Sequence, residues 1–162
     1  MKTTRALALT VAAVLLSAVP APAAPAQESP ADVAHRFLQA FEKKDFATIR
    51  GLFAPGASVT TAELSRDEPA KLVARTAEDW LAFTERQMSA VTFSGFKVLE
   101  TSTVAFDGGA MVSVHFRSQG GFGHFTFVNE GVDTYALVPV DGAWRILRYG
   151  TFERLDAAPA AK

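Results

Sequence analysis

Val33, Phe37 and Phe41 recur at every fourth position with Ala34 and Leu38 beside them, which puts one apolar stripe on a helix. Ser29 ahead of Pro30, with Asp32 three residues on, makes a capping box at its start. Lys43-Lys44 closes it with charge suited to a helix C-terminus. Asp45 caps a short second helix with Phe46, Ile49 and Phe53 facing inward, stopped by Ala54-Pro55-Gly56. Ala57 to Thr61 reads as a strand, Glu63 to Pro69 as a polar loop and Leu72-Val73 as a second short strand. Thr76, with Asp79 three residues later, opens a third helix from about Ala77 to Met88, whose apolar side holds Trp80, Leu81 and Phe83.

After Ala90 the period changes to two. Val91 to Phe106 is one extended stretch, Asp107-Gly108 a hairpin turn, and Ala110 to Ser118 the return strand. Gly120, Gly121 and Gly123 mark the next turn. Phe125 to Val140 follows, with an interruption expected at Asn129-Glu130-Gly131. Asp141-Gly142 is a second hairpin signal before the last strand, Trp144 to Phe152. Helices first and strands after them is an α+β layout. The expected architecture is three N-terminal helices packed on a strongly curved, mainly antiparallel sheet that forms a conical cavity.

Composition separates two parts of the chain. Met1 to Ala26 holds no acid, no Phe and no Gly; it carries Lys2 and Arg5, an apolar run from Ala6 to Val19, then Ala21-Pro22-Ala23 and Ala24-Pro25-Ala26. This is the pattern of a secretory signal peptide cut after Ala23 or Ala26, and its apolar run is shorter than the roughly 20 residues of a membrane span. The later cut takes 26 residues from 162 and Lys2 and Arg5 from 16 basic residues, leaving 136 residues with 14 basic against 17 acidic, net charge −3. An exported chain, periplasmic or extracellular, with one domain over residues 29–154 and a disordered tail over 155–162 is the expectation. The acidic balance argues against nucleic acid, and no later run approaches membrane length. With 0 Cys there is no thiol nucleophile and no Cys-held zinc. No phosphate-binding Gly-rich loop is present, and no cofactor is implied. All 13 Phe lie in the mature part, as a bulky core or the lining of an apolar pocket.

The stretch Phe37-Leu38-Gln39-Ala40-Phe41-Glu42-Lys43-Lys44-Asp45-Phe46, running on through Leu52-Phe53-Ala54-Pro55-Gly56-Ala57-Ser58-Val59, resembles the opening of nuclear transport factor 2-like domains, the SnoaL-like and ketosteroid-isomerase-like superfamily. Asp133-Thr134-Tyr135-Ala136-Leu137-Val138, followed by Asp141-Gly142-Ala143-Trp144-Arg145-Ile146, resembles their ending. The resemblance implies the fold over about Ser29 to Arg154. It leaves activity open, because the superfold hosts isomerases, dehydratases, polyketide cyclases and binding modules. Steroid isomerases of this kind use a Tyr on the first helix, an Asp base after the first strand and a protonated Asp on a later strand. Counting from Lys44-Asp45, the Tyr position falls on Phe37 and the base position on Thr61, with Glu63 two residues on. The third falls near Asp133-Thr134. Two of three parts are missing, which speaks against steroid-type isomerisation by that mechanism.

Other residues suit acid–base work. His115 and His124 flank the glycine turn; a two- or four-residue loop would put them on one face, as a proton-transfer pair or two metal ligands. The competing reading has them on the outer face or in the turn, and no clustered acid completes a metal site. Asp133 and Tyr135, two apart on one strand, share a face and could exchange protons with a carbonyl substrate; alternatively, Asp133 pairs with Arg145 or Arg148. A bulge at Gly131 would bring both to the face of His115, giving a catalytic set of His115, Asp133 and Tyr135. Phe37, Phe41, Trp80 and His124 are candidate ligand-binding residues. Glu63, Arg66, Asp67 and Glu68 form a mixed-charge loop, most simply a solvated surface, which at the mouth of the hollow would be a lid candidate. Three functions stay open. The first is a module binding a small hydrophobic ligand in the cavity, favoured by the missing isomerase residues. The second is a polyketide-cyclase-like, dehydratase or isomerase-type enzyme. The third is an interaction domain forming a homodimer through the sheet.

Overall fold

The computed structural model describes residues 28–63 and 71–159. The expected signal peptide at 1–26, the lid loop with Arg66, Asp67 and Glu68, and residues 160–162 lie outside the described residues.

Helix α1 is Pro30–Glu42, α2 is Phe46–Leu52 and α3 is Ala77–Met88. Each starts where the sequence supplies a cap. The Asp32 N–H donates to Ser29 Oγ at 3.2 Å while the Ser29 N–H donates back to Asp32 Oδ2 at 3.0 Å. The Thr48 N–H donates to Asp45 Oδ1 at 3.0 Å, and the Asp79 N–H to Thr76 Oγ1 at 3.1 Å. These bonds satisfy amides that have no partner inside the helix. Lys44, at φ 57°, turns the chain between α1 and α2.

The strands are β1 Phe53–Glu63, β2 Lys71–Thr76, β3 Val91–Phe106, β4 Gly109–Phe122, β5 Phe125–Val140 and β6 Ala143–Pro159. They form one sheet in the order β2-β1-β6-β5-β4-β3. β1 runs parallel to β6, and the other neighbours are antiparallel. β2 and β3 are edges that do not meet, so the sheet is mixed and open. This corrects the expected strongly curved sheet around a conical cavity. Alternation fixes which side chains are buried, but curling comes from twist and bulges that alternation does not encode.

Three further expectations change. Helix α2 ends at Leu52, ahead of Ala54-Pro55-Gly56, but Phe53, expected on its inward face, already starts β1, whose first residues are irregular, with the register shifting between Phe53 and Ser58 and Gly56 at φ +73°. The β4–β5 ladder is continuous from Phe122↔Phe125 to Ala110↔Leu137, so there is neither an interruption at Asn129 nor a bulge at Gly131. β6 continues past Arg154, with Pro159 opposite Phe125, where a tail was expected from residue 155.

The helices cover one face of the sheet. Val33 and Phe37 of α1 and Leu81 of α3 are buried in one core with Val112, Val114, Tyr135 and Leu137. Each such side chain contributes roughly 1.5–3 kcal/mol by leaving water. No helix among the described residues is long and apolar enough to cross a membrane.

Candidate functional site

The continuous register decides which side chains meet. Even-numbered residues of β4 and odd-numbered residues of β5 point to the helices, so Val112 faces Tyr135 and Val114 faces Asp133 beneath them. Asp133 is therefore a carboxyl group in the apolar core, 1% exposed. The Tyr135 hydroxyl donates to its Oδ2 at 3.0 Å, and its Oδ1 has no hydrogen-bond partner. Across the β5–β6 ladder, Thr151 lies opposite Asp133, Tyr149 opposite Tyr135 and Glu153 opposite Gly131. Tyr149 and Glu153 thus flank Asp133 on the two diagonals, within reach of long side chains.

Burial pushes the Asp133 carboxyl up to about 7, and the nearby charge of Glu153 adds to this, while the Thr151, Tyr135 and Tyr149 hydroxyls oppose it. The Tyr135 and Tyr149 hydroxyls are themselves held well above the usual phenol range, first by burial and then by Asp133. Both remain proton donors at neutral pH.

Asp133, Tyr149, Glu153 and Asn129 line one side of a cleft of about 250 Å³ between the helices and the sheet. Phe41, Phe93, Phe96, Phe116, Phe122 and Phe127 supply most of its apolar wall. It is an open cleft, not the expected enclosed cone. Phe37 and Trp80 are packed behind it, 5% exposed or less. The Phe37 ring lies 4.8 Å from that of Tyr149, 5.4 Å from Tyr135 and 6.1 Å from Trp80. Of the aromatics named from sequence, Phe41 reaches the cleft, whereas Phe37 and Trp80 support the tyrosines.

His115 is elsewhere. It lies opposite Val132 on the outer face, with its Nε2 3.1 Å from Glu130 Oε1. Asp133 and Tyr135 are on the inner face, so the set of His115, Asp133 and Tyr135 does not assemble. The bulge needed to join them is absent. His124 is exposed in the two-residue turn between β4 and β5. Neither Arg145 nor Arg148 takes the expected place beside Asp133: Ala136 opposes Arg148 and Val138 opposes Arg145, both on the even-numbered side of β5. Sequence reading missed Tyr149 and Glu153. Their signal was the alternation Tyr149, Thr151, Glu153 along the last strand, which puts three polar groups on the inner face.

The model of the SnoaL-like domain family matches residues 24–150, most of the chain. The chain belongs to the SnoaL-like domain family. No curated protein matches it. Among solved structures, this SnoaL-like domain is similar to a ketosteroid isomerase-like protein from Erwinia carotovora atroseptica, with 17% identity over 74% of this chain and 88% of that one and a TM-score of 0.57. A nuclear transport factor 2-like protein from Cytophaga hutchinsonii shares 15% identity over 75% of this chain and 92% of its own, with a TM-score of 0.59. A Kribbella flavida protein shares 13% identity over 78% of this chain and 89% of its own, with a TM-score of 0.61. At such identities these likenesses concern the fold. The buried and half-buried polar groups that line the cleft of this SnoaL-like chain gather on β5 and β6 and, with Ser118, on β4.

Proposed function

We propose that this SnoaL-like protein is an acid–base enzyme of the isomerase, dehydratase or polyketide-cyclase-like kind, acting on a small, flat, largely apolar carbonyl compound. The observation that supports this is Asp133, a carboxyl group buried beside an aromatic cleft and held near neutrality by its surroundings. Tyr135 donates to Oδ2, so in the acid form the proton belongs on Oδ1, the oxygen that has no partner. From there Asp133 can donate to a substrate carbonyl, and the Tyr149 hydroxyl is the second donor. Donors fixed in an apolar site stabilise the negative charge that develops on that oxygen. A module that only stores a hydrophobic ligand, the first sequence expectation, required the enclosed cone that the open sheet lacks.

1-Tetralone is a suitable probe, a flat bicyclic ketone whose enol resembles 1-naphthol. The protein is expected to speed deuterium uptake next to its carbonyl in D2O, followed by NMR, and to bind 1-naphthol. Asp133→Asn should lower the exchange by about 100-fold or more. Exchange by the wild-type protein no faster than buffer, or undiminished in Asp133→Asn, would reject the reading.

The outer face supports a second reading, a homodimer through the sheet. Met111 is 49% exposed and lies opposite Val104 at 65%, and Val132 at 39% lies opposite Phe152 at 50%. Four large apolar side chains on one face exceed the scattered exposure usual for a monomer. Export is supported by the Lys2, Arg5 and Ala6-to-Val19 pattern.

A further inference from the structure

We infer that Glu153 is the proton-abstracting base of this cleft, set in place on β6 by Gly131, Asn129 and Thr151. The inference rests on the acid role proposed for Asp133. Asp133 and Glu153 are the two carboxyl groups among the residues that line the cleft. Their surroundings differ. Asp133 is buried on the inner wall of the cleft, whereas Glu153 is half-buried and takes two hydrogen bonds from neutral donors. Asn129 Nδ2 donates to Glu153 Oε2 at 2.7 Å and Thr151 Oγ1 to Oε1 at 2.9 Å. Two carboxyl groups in one site with unlike environments divide into an acid and a base.

Besides the Thr151 hydroxyl, two features hold Glu153 there. Gly131 lies opposite it, and a Cβ at Gly131 would come within 3.0 Å of Glu153 Cγ and 2.8 Å of the Phe152 carbonyl oxygen. The missing side chain is the space that the Glu153 stem crosses. A carboxylate can only accept, so the Asn129 amide must turn its NH2 to Glu153. Its Oδ1 is then left without a partner although Asn129 is 8% exposed. Asp133 Oδ1 is the other buried side-chain oxygen without a partner among the described residues. The two flank Glu153 along β5, and both belong to residues lining the cleft. Unpaired buried oxygens are costly, and here they mark the two ends of a site for a ligand with polar groups.

The step balances without a co-reactant. Glu153 takes a proton from the carbon next to the substrate carbonyl. The C–H electron pair forms a C=C bond, and the C=O pair moves to oxygen, which receives hydrogen bonds from Asp133 and Tyr149. Return of the proton from Glu153 to carbon gives exchange or isomerisation. The groups facing Asp133 are Tyr135 from its own strand, and Tyr149, Thr151 and Glu153 from β6. Removing the Glu153 charge therefore also moves the pH at which Asp133 gives up its proton downward.

The test compares Glu153→Gln, Asp133→Asn and wild type on two readouts, 1-tetralone exchange and 1-naphthol binding. Glu153→Gln is expected to lose exchange by about 100-fold or more while binding 1-naphthol within about threefold of wild type. Asp133→Asn is expected to lose both. Near-normal exchange in Glu153→Gln, with loss in Asp133→Asn, overturns the base assignment and leaves the acid role standing. Loss of 1-naphthol binding together with exchange in Glu153→Gln makes the residue structural and also overturns it. A wild-type protein that does not exchange 1-tetralone removes both readings.

Discussion

A carboxyl group in the core has consequences for stability as well as chemistry. In the unfolded chain Asp133 ionises near its ordinary value of 3.8, while in the folded protein it holds its proton up to about 7. Between these pH values the folded state binds more protons than the unfolded one, so the contribution is full at low pH and lost as pH rises through 7. That loss is up to on the order of 4 kcal/mol, since each pKa unit is worth about 1.4. Asp133→Asn should remove this slope, so its stability relative to wild type should rise between pH 4 and pH 8. Urea unfolding at both pH values measures it, and an unchanged difference between the two proteins would show that Asp133 does not titrate this way. Asp133 and Tyr135 were legible as a pair from their spacing of two. Their seclusion from His115 was not, because it depended on a bulge that only the ladder could decide. Tyr149 and Glu153 went unnoticed because each is ordinary alone; their meaning comes from standing diagonally beside Asp133 on the neighbouring strand.

Between strands, the informative position is Gly131. In sequence it read as a break in β5, since glycine inside a strand often marks a bulge. Its role in the structure is close approach: the neighbouring strand and the stem of Glu153 occupy the space of its Cβ. Gly131→Ala should shift Glu153 away from Asn129 and cost roughly 1–3 kcal/mol, as overpacking does. It should also lower 1-tetralone exchange more than 1-naphthol binding. Unchanged stability and exchange would mean that the contact is relaxed by small movements of β6. The helices, by contrast, were readable almost to the residue. Their signals, Ser29 with Asp32, Asp45 and Thr76, act within one turn of chain, whereas the course of β6 past Arg154 depends on pairing with distant Phe125.

For the molecule as a whole, order and class of elements followed from periodicity, and the SnoaL-like fold from the motifs at its two ends. The shape of the sheet did not, because curling is a sum of small twists along long strands. An open sheet exposes its far face, and the proposed dimer would cover it. Met111→Glu places a charge beside Val104 and close to Phe152 on that face without touching the cleft. Wild-type protein should run as a dimer in light scattering at about 10 μM, within the range of a standard interface, and the variant as a monomer. A monomeric wild type would reject the association. Exchange activity should survive in the variant, since the cleft lies on the other side of the sheet.

β6 comes after the other five described strands in chain order, yet it occupies an interior position, between β1 and β5. Until it arrives, the helices with β1 and β2 form one fragment and the β3-β4-β5 meander another, with nothing in the backbone ladder to join them. It brings Tyr149, Thr151 and Glu153 as it docks, so closing the sheet and completing the proposed site are one event. Such long-range closure is slow compared with local hairpins. A shortened chain ending before Trp144 would leave Asp133 without its β6 neighbours and the sheet in two pieces joined only through the helices, so the proposed site would stay incomplete until β6 is in place.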